Sequence, residues 1–260
     1  MSVARVLAGE IERDEKVRPR NITLICPTRG RPQRFRAMLE SALATAAHPE
    51  RIEVLLLLDF DDAEAPAYFD APLPPCVRVV HGTERKSVPA MQDEAALHLA
   101  TGDLLMSCPD DILFRTQHWD ALVNERYDAV GDELLVGWTN DGNDRDKCMH
   151  FFVSRRWMEI VGHFMWPEFE HFSGDEWVER VAKAAGRGVY LREVVTEHMH
   201  AKYKKAPNDD TYRRTRVTAA DGTSMSERDN RRMQALLGQV KDLGEQLRLA
   251  IADHQKARAA

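Results

Sequence analysis

Short apolar runs alternate with helical patterns through the first half of the chain, and this alternation limits the fold more than any other feature. The runs are bounded by turn residues and cover residues 21–26, 52–58, 77–80 and 103–108. Apolar side chains recur at helical spacing over residues 33–47 and 88–100. Buried strands that alternate with helices indicate an α/β fold, with a mostly parallel sheet and helices on both of its faces.

Polar side chains follow three of these runs. Thr28 and Arg29 follow the first run, Asp59 the second, and Asp110 and Asp111 the fourth. Ligands of open α/β sheets bind outside the carboxyl ends of the strands. We therefore expect these side chains to line one crevice.

The composition is that of a globular, non-secreted chain. Its 260 residues, 43% of them hydrophobic, are enough for one large domain with a substantial core. The net charge of −6 disfavours a general nucleic-acid-binding protein, which is usually basic. The four cysteines form no CxxC pair, which disfavours a zinc site. We expect a cytoplasmic location because neither a secretory signal nor a membrane span is visible.

Three segments follow from the pattern along the chain. Residues 1–20 form a charged leader, residues 21–217 one large domain, and residues 225–257 a C-terminal amphipathic helix. Spacings of three and four define a narrow apolar seam on this helix, made of Met233, Leu236, Val240, Leu243, Leu247 and Ala250. The seam fits two arrangements: packing on its own domain, or a coiled coil with a second subunit that forms a homodimer.

The adjacent carboxylates of Asp110 and Asp111 come directly after a buried strand. Two like charges this close both stay ionised only if a cation or ordered hydrogen-bond donors compensate them. Mg²⁺ and Mn²⁺ prefer such oxygen ligands and leave coordination positions open for phosphates. A turn, in which Asp is common, also fits the pair when it is considered alone.

Five motifs, in order over about a hundred residues, resemble those of family 2 glycosyltransferases, which are enzymes of GT-A type. They are Ile25-Cys-Pro-Thr-Arg-Gly-Arg-Pro32, Leu58-Asp59, Arg85-Lys86 with Gln92, Thr101-Gly102-Asp103 and Pro109-Asp110-Asp111. Two positions depart from the family pattern. Pro109 stands where the first Asp of the metal-binding DxD motif would be, and Gln92 replaces the usual Asn.

The resemblance implies a GT-A fold with a nucleotide-sugar site in the first half of the domain, residues 21–120. Pro27, Thr28 and Arg29 would line the nucleotide pocket, and Asp59 would face the base. A carboxylate accepts the N–H of uracil, so a UDP-sugar is the favoured donor.

The resemblance also implies how the charged part of the donor is held. Arg85 or Lys86 would approach the donor and oppose its diphosphate. Asp111 would be the main ligand of Mn²⁺ or Mg²⁺, and Asp110 would assist the metal and contact the donor.

The second half, residues 121–217, would bind the acceptor. It contains the run His171-Phe-Ser-Gly-Asp-Glu-Trp177. In the family an acidic pair at the start of a helix supplies the general base, which implies that role for Asp175 or Glu176. We prefer Asp175, which directly follows Gly174, although a strict alignment favours Glu176. A carboxylate here also interacts favourably with the helix dipole without any catalytic role.

A His-x-His pair and a basic segment follow the candidate base. His198 and His200 share one face of an extended segment, and the resemblance implies that one of them completes the metal site. Lys202 and Lys204 begin a basic, tyrosine-containing segment. This segment fits a lid over the donor diphosphate best, and alternatives are an anionic acceptor site, nucleic-acid contacts and a solvated loop.

The expected function is transfer of a sugar from a nucleotide-sugar donor to an acceptor hydroxyl, with inversion by direct displacement. The acceptor is a glycan, a small molecule or, as in phage-type enzymes, a modified DNA base. Two alternatives stay open at this point. One is a nucleotidyltransferase or other nucleotide-sugar enzyme, although Pro27-Thr-Arg-Gly-Arg31 is not the Gly-rich loop expected of it. The other is a non-catalytic assembly protein that uses the C-terminal helix.

Overall fold

A computed structural model describes residues 20–143 and 146–260, and the leader expected over 1–20 lies, apart from Arg20, outside these residues. The strands are β1 (Ile22–Thr28), β2 (Ile52–Leu58), β3 (Val77–His81), β4 (Leu104–Ser107), β5 (Ile112–Phe114), β6 (Val136–Asn140), β7 (Phe151–Ser154) and β8 (Gly188–His198). The helices are α1 (Pro32–Thr45), α2 (Val88–His98), α3 (Trp119–Val130), α4 (Arg155–Val161), α5 (Gly174–Ala185), α6 (Asp210–Arg214) and α7 (Met225–Ala259).

One sheet runs through the molecule in the order β3-β2-β1-β4-β7-β6-β8-β5. The strands β3, β2, β1 and β4 are parallel to one another, which confirms the predicted α/β architecture. Beyond β4 the sheet is mixed, because β7 is antiparallel to both β4 and β6 while β6 is parallel to β8. The β4–β7 pairing crosses the expected boundary at residue 120, so both halves share one sheet.

β1 extends beyond its predicted end at Cys26, because Pro27 and Thr28 still align with the last residues of β2. β8 continues as far as His198, in the segment predicted to be extended, because it has two different partners. Its first part pairs with β6 and its last part, after a register shift, with β5. The acidic pair lies in the short connection between the end of β4 at Ser107 and the start of β5 at Ile112.

The C-terminal helix packs on its own domain. α7 contacts α5 and α4, and the seam residues Met233, Val240, Leu243 and Leu247 are buried in the main core of the same chain. The homodimeric coiled coil is not supported, because these side chains already have their apolar partners. Among the described residues, no helix is both long enough and apolar enough to cross a membrane.

Two glycines on α7 test this packing. A Cβ at Gly244 would lie 2.5 Å from Cβ of Ala184 on α5, whereas a Cβ at Gly238 would meet nothing within 4 Å. We expect Gly244→Ala to lower the free energy of unfolding by about 1–3 kcal/mol through overpacking. Gly238→Ala should raise it by up to about 1 kcal/mol through helix propensity. Urea denaturation measures both changes, and equal effects would contradict the packing of α7 on α5.

Candidate active site

The carboxyl ends of β1, β2 and β4 bring the polar strand ends together. The three strands are neighbours in the sheet and run in the same direction. The Thr28 hydroxyl, at the end of β1, donates to Oδ2 of Asp110 over 2.6 Å. Thr28 also contacts the hydroxyl of Tyr68 at 2.7 Å. The ends of β1 and β4 therefore bring Thr28 and the acidic pair into direct contact, as expected from parallel strands that end at one edge.

A buried guanidinium lies against the acidic pair. Nη1 of Arg31 donates to Oδ1 of Asp110 over 3.0 Å and lies 3.6 Å from Oδ2 of Asp111. All three side chains are almost fully buried. Burial and the adjacent Asp111 raise the pKa of Asp110, while Arg31 and Thr28 oppose that rise. Arg31 thus supplies the compensating charge that two adjacent buried carboxylates require.

Asp111 is held from the other side of the crevice. The Tyr212 hydroxyl, from α6, donates to its Oδ2 over 2.6 Å, and Nε2 of His198 lies 3.4 Å from its Oδ1. Burial opposes ionisation of Asp111, yet His198, Tyr212 and Arg31 lower its pKa overall. Burial and the charge of Asp111 raise the pKa of Tyr212 to about 12, so the phenol stays protonated and donates.

The rings of three histidines lie side by side near Asp111. The rings of His198 and His200 have centroids 5.1 Å apart, and His150, which sequence analysis missed, lies 5.2 Å from His198. Burial, with the neighbouring His198, lowers the pKa of His150 to about 3, so its ring is neutral. Nδ1 of His200 accepts the backbone N–H of Lys202, while Nδ1 of His198 is buried and has no hydrogen-bond partner within residues 20–143 and 146–260. His198 is therefore the histidine that faces the acidic pair directly.

Asp59 lies at the end of β2, within a cluster of opposite charges. Its Oδ2 accepts from Arg29 over 3.0 Å and lies 3.4 Å from Arg85. Arg29 and Arg85 also pair with the more exposed Asp61. The second carboxylate oxygen of Asp59, Oδ1, is buried and has no hydrogen-bond partner among the residues that the structure describes. An unpaired buried acceptor is costly, so this oxygen suits a ligand N–H.

The predicted lysines lie apart from this cluster. Lys86 pairs with Glu94 at 2.7 Å and with Glu84 at 3.5 Å. Lys202 and Lys204 are exposed, and Lys204 ends a short helical turn in the left-handed conformation. The crevice is instead approached by the next part of the segment, which supplies Tyr212.

Asp175 and Glu176 stand in the first turn of α5 but have different surroundings. Asp175 is half-buried, and its Oδ1 accepts the backbone N–H of Glu176 over 2.9 Å. Burial raises the pKa of Asp175 to about 6. Glu176 forms an ion pair with Arg180 one turn along α5, at 2.6 Å. The environment of Asp175 is the one that suits a proton acceptor near neutral pH.

Solved structures with the same architecture include two glycosyltransferases. The mannosyltransferase PcManGT from Pyrobaculum calidifontis, in complex with GDP-Man and Mn²⁺, is 16% identical and has a TM-score of 0.58 over 94% of this chain and 76% of that chain. GalNAc-T7 with UDP, GalNAc and Mn²⁺ is 10% identical, with a TM-score of 0.55 over 69% of this chain and 43% of that chain. The chain adopts the GT-A fold. No protein-family model and no curated protein matches its sequence.

Two neighbouring side chains are candidate ligands for a metal ion. Asp111 supplies a carboxylate and His198 an imidazole nitrogen, and their nearest atoms face each other. This donor set suits Mn²⁺ or Mg²⁺, which bind through one or two side chains together with substrate phosphates and water. Within residues 20–143 and 146–260, no three His, Cys, Asp or Glu side chains are arranged to hold an ion.

Two buried carboxylates fix the loop that leads into α5. Asp93, on α2, accepts the backbone N–H of Phe164 over 2.7 Å. Asp229, on α7 and fully buried, accepts the backbone N–H groups of residues 170, 171 and 172 over 2.8–3.0 Å. Burial lowers the pKa of His171, in this loop, and the charges of Asp229 and Asp111 oppose that change. α7 thus positions the loop that leads to the candidate base, a role that its apolar seam did not reveal.

Asp229→Asn tests this anchor, because it keeps the shape of the side chain and removes its charge. We expect faster hydrogen exchange at the amides of residues 170–172, since an amide group accepts three N–H bonds less well than a carboxylate. The control is Asp242→Asn, an exposed position on the same helix. Unchanged protection of these amides in Asp229→Asn would contradict the anchoring role.

Proposed function

We propose that the protein is a glycosyltransferase that transfers a sugar from a nucleoside-diphosphate donor to an acceptor hydroxyl. The observation that supports this most is the unpaired, buried Oδ1 of Asp59, next to the strand that ends in Thr28 and two strands from the acidic pair. Ligands of open α/β sheets bind at the carboxyl ends of the strands, so a nucleotide base bound there would meet this oxygen. The similar solved structures hold GDP-Man or UDP, each with Mn²⁺.

The hydrogen-bonding state of Asp59 favours a uracil base. Because Arg29 and Arg85 occupy one carboxylate oxygen, a single oxygen stays free to accept. Uracil presents one N–H, between two carbonyls that the arginines are able to donate to. Guanine presents an N–H and an amino group side by side, and both carboxylate oxygens would be needed to accept them. A UDP-sugar therefore fits this site better than a GDP-sugar.

Asp111 and His198 would hold Mn²⁺ or Mg²⁺ in this scheme. Such an ion, when bound, neutralises the charge that develops on the departing diphosphate. Both oxygens of Asp110 are already occupied by Thr28 and Arg31. Asp110 would therefore fix Arg31 at the edge of the donor site and assist Asp111 at the metal.

Asp175 would be the general base. Its raised pKa keeps it a proton acceptor near neutral pH, and within the described part of the chain no ion pair engages its carboxylate. Glu176 is engaged by Arg180 and is less available. Direct displacement by the deprotonated hydroxyl would invert the anomeric centre.

Donor binding tests the first part of the proposal. A panel of nucleotide sugars with Mn²⁺ should identify a UDP-sugar that binds, measured by calorimetry. Asp59→Ala should weaken that binding tenfold or more, because it removes the only acceptor offered to the base N–H. The matched control is Asp61→Ala, which shares the Arg29 ion pair but is exposed. Failure of every donor to bind would overturn the proposal.

The pH dependence of transfer tests the base. Asp175 acts when deprotonated, so the turnover rate should be constant above about pH 7 and fall as the pH drops through about 6, which is its pKa. Asp175→Asn should lower turnover by about 10²–10⁴-fold while donor binding stays unchanged. Glu176→Gln should have a much smaller effect. Full activity of Asp175→Asn would exclude this residue as the base.

A further inference from the structure

An aspartate fills an arginine site at the mouth of the crevice. Asp209, just before α6, accepts from Nε of Arg31 through one oxygen and from Nη2 through the other, both over 2.8 Å. Nη2 of Arg34 lies 3.3 Å from the same carboxylate. Burial raises the pKa of Asp209, but hydrogen bonds from Arg31 and the charges of both arginines lower it overall. The group is therefore a bound anion supplied by the chain itself.

Besides the ion pairs of Asp209, further contacts join the segment that contains this residue to Arg31 and Arg34. Arg34 donates to the carbonyl of Pro207 and to the Tyr212 hydroxyl, each over 3.3 Å. The guanidinium of Arg31 lies 4.5 Å from the centre of the Tyr212 ring. An open cavity of about 380 Å³ lies between this segment and the ends of β1 and β2, and Asp209 forms part of its wall. The segment thus covers one side of the crevice without filling it.

A forked carboxylate–guanidinium contact has the same geometry as a phosphate–guanidinium contact. Arg31 is also anchored independently by Asp110, so departure of Asp209 would leave the guanidinium in place. Arg34 would then lose its carboxylate partner, and two cationic groups would face the open side of the crevice. An anion with more than one negative charge that contacts both guanidinium groups would then neutralise them.

We propose that Arg31 and Arg34 form a binding site for the diphosphate of the donor, and that Asp209 occupies this site as an internal competitor. The proposal rests on the proposed function, since a nucleotide-sugar donor is what supplies the diphosphate. Donor binding then requires Asp209 to leave, and the measured affinity is the intrinsic affinity reduced by the fraction of molecules in which the site is open.

The predicted effect is a gain of affinity. Asp209→Asn keeps the side-chain shape and a good helix N-cap for α6, but removes the charge that competes with phosphate. We expect UDP and inorganic pyrophosphate each to bind Asp209→Asn about tenfold or more tightly than the wild type, measured by calorimetry at equal ionic strength. Asp209→Ser, which also caps a helix and has no charge, should change affinity in the same direction.

Two variants serve as controls. Asp210→Asn removes an adjacent charge that pairs with Arg213 rather than with Arg31 or Arg34, so it should bind both probes as the wild type does. Arg34→Gln should weaken the binding of both probes. Thermal unfolding of each variant establishes that the comparison is made between folded proteins.

The outcomes separate this inference from the proposed function. Unchanged or weaker binding of both probes to Asp209→Asn and Asp209→Ser would overturn the inference, because Asp209 would then only hold Arg31 in place. Equal gains in Asp209→Asn and Asp210→Asn would also overturn it, since a general change of charge would explain them. A gain for pyrophosphate, in a protein that binds neither UDP nor any nucleotide sugar, would support the anion site and overturn the glycosyltransferase proposal.

Discussion

Two buried carboxylates side by side at the end of β4 impose the strongest constraint on this structure. Asp110 and Asp111 are stable there because hydrogen-bond donors and a cation from four other parts of the chain converge on them. Thr28 comes from β1, Arg31 from the start of α1, and the other two partners from β8 and α6. The acidic pair therefore lies where residues from both halves of the domain meet.

The second half of the domain, residues 121–217, is ordered by the same physical means. Asp93 and Asp229 are buried carboxylates that accept backbone N–H groups from the two ends of one loop, and this satisfies donors that the loop could not pair internally. The C-terminal helix supplies Asp229 and also packs its apolar side on α5, which begins with the candidate base Asp175. The helix is thus part of the domain that it holds together, rather than an appended association element. This accounts for its burial without a second subunit.

Local pattern predicts the framework of this protein well and its long-range ion pairs poorly. Each strand of the parallel half was predicted from its apolar run, and the approach of Thr28 to Asp110 follows from parallel strands ending at one edge. The pairing of Arg31 with Asp209 joins residues 178 positions apart, and no periodicity signals such a contact. Tyr212 belongs to a basic segment, and the charge pattern of that segment indicates its lysines, not its tyrosines, as candidate site residues. The seam of α7 was ambiguous because spacings of three and four serve a coiled coil and an intramolecular helix pair equally.

We propose that a nucleoside diphosphate binds at the carboxyl ends of β1, β2 and β4, between Asp59 and Asp111. A crystal structure of the protein grown with UDP and Mn²⁺, with anomalous diffraction data collected at the manganese edge, tests this binding mode. We expect a manganese peak beside Asp111 and His198, and a uracil whose N–H points at Oδ1 of Asp59. A crevice that stays closed by Tyr212 at saturating nucleotide, or a nucleotide bound elsewhere on the molecule, would contradict it.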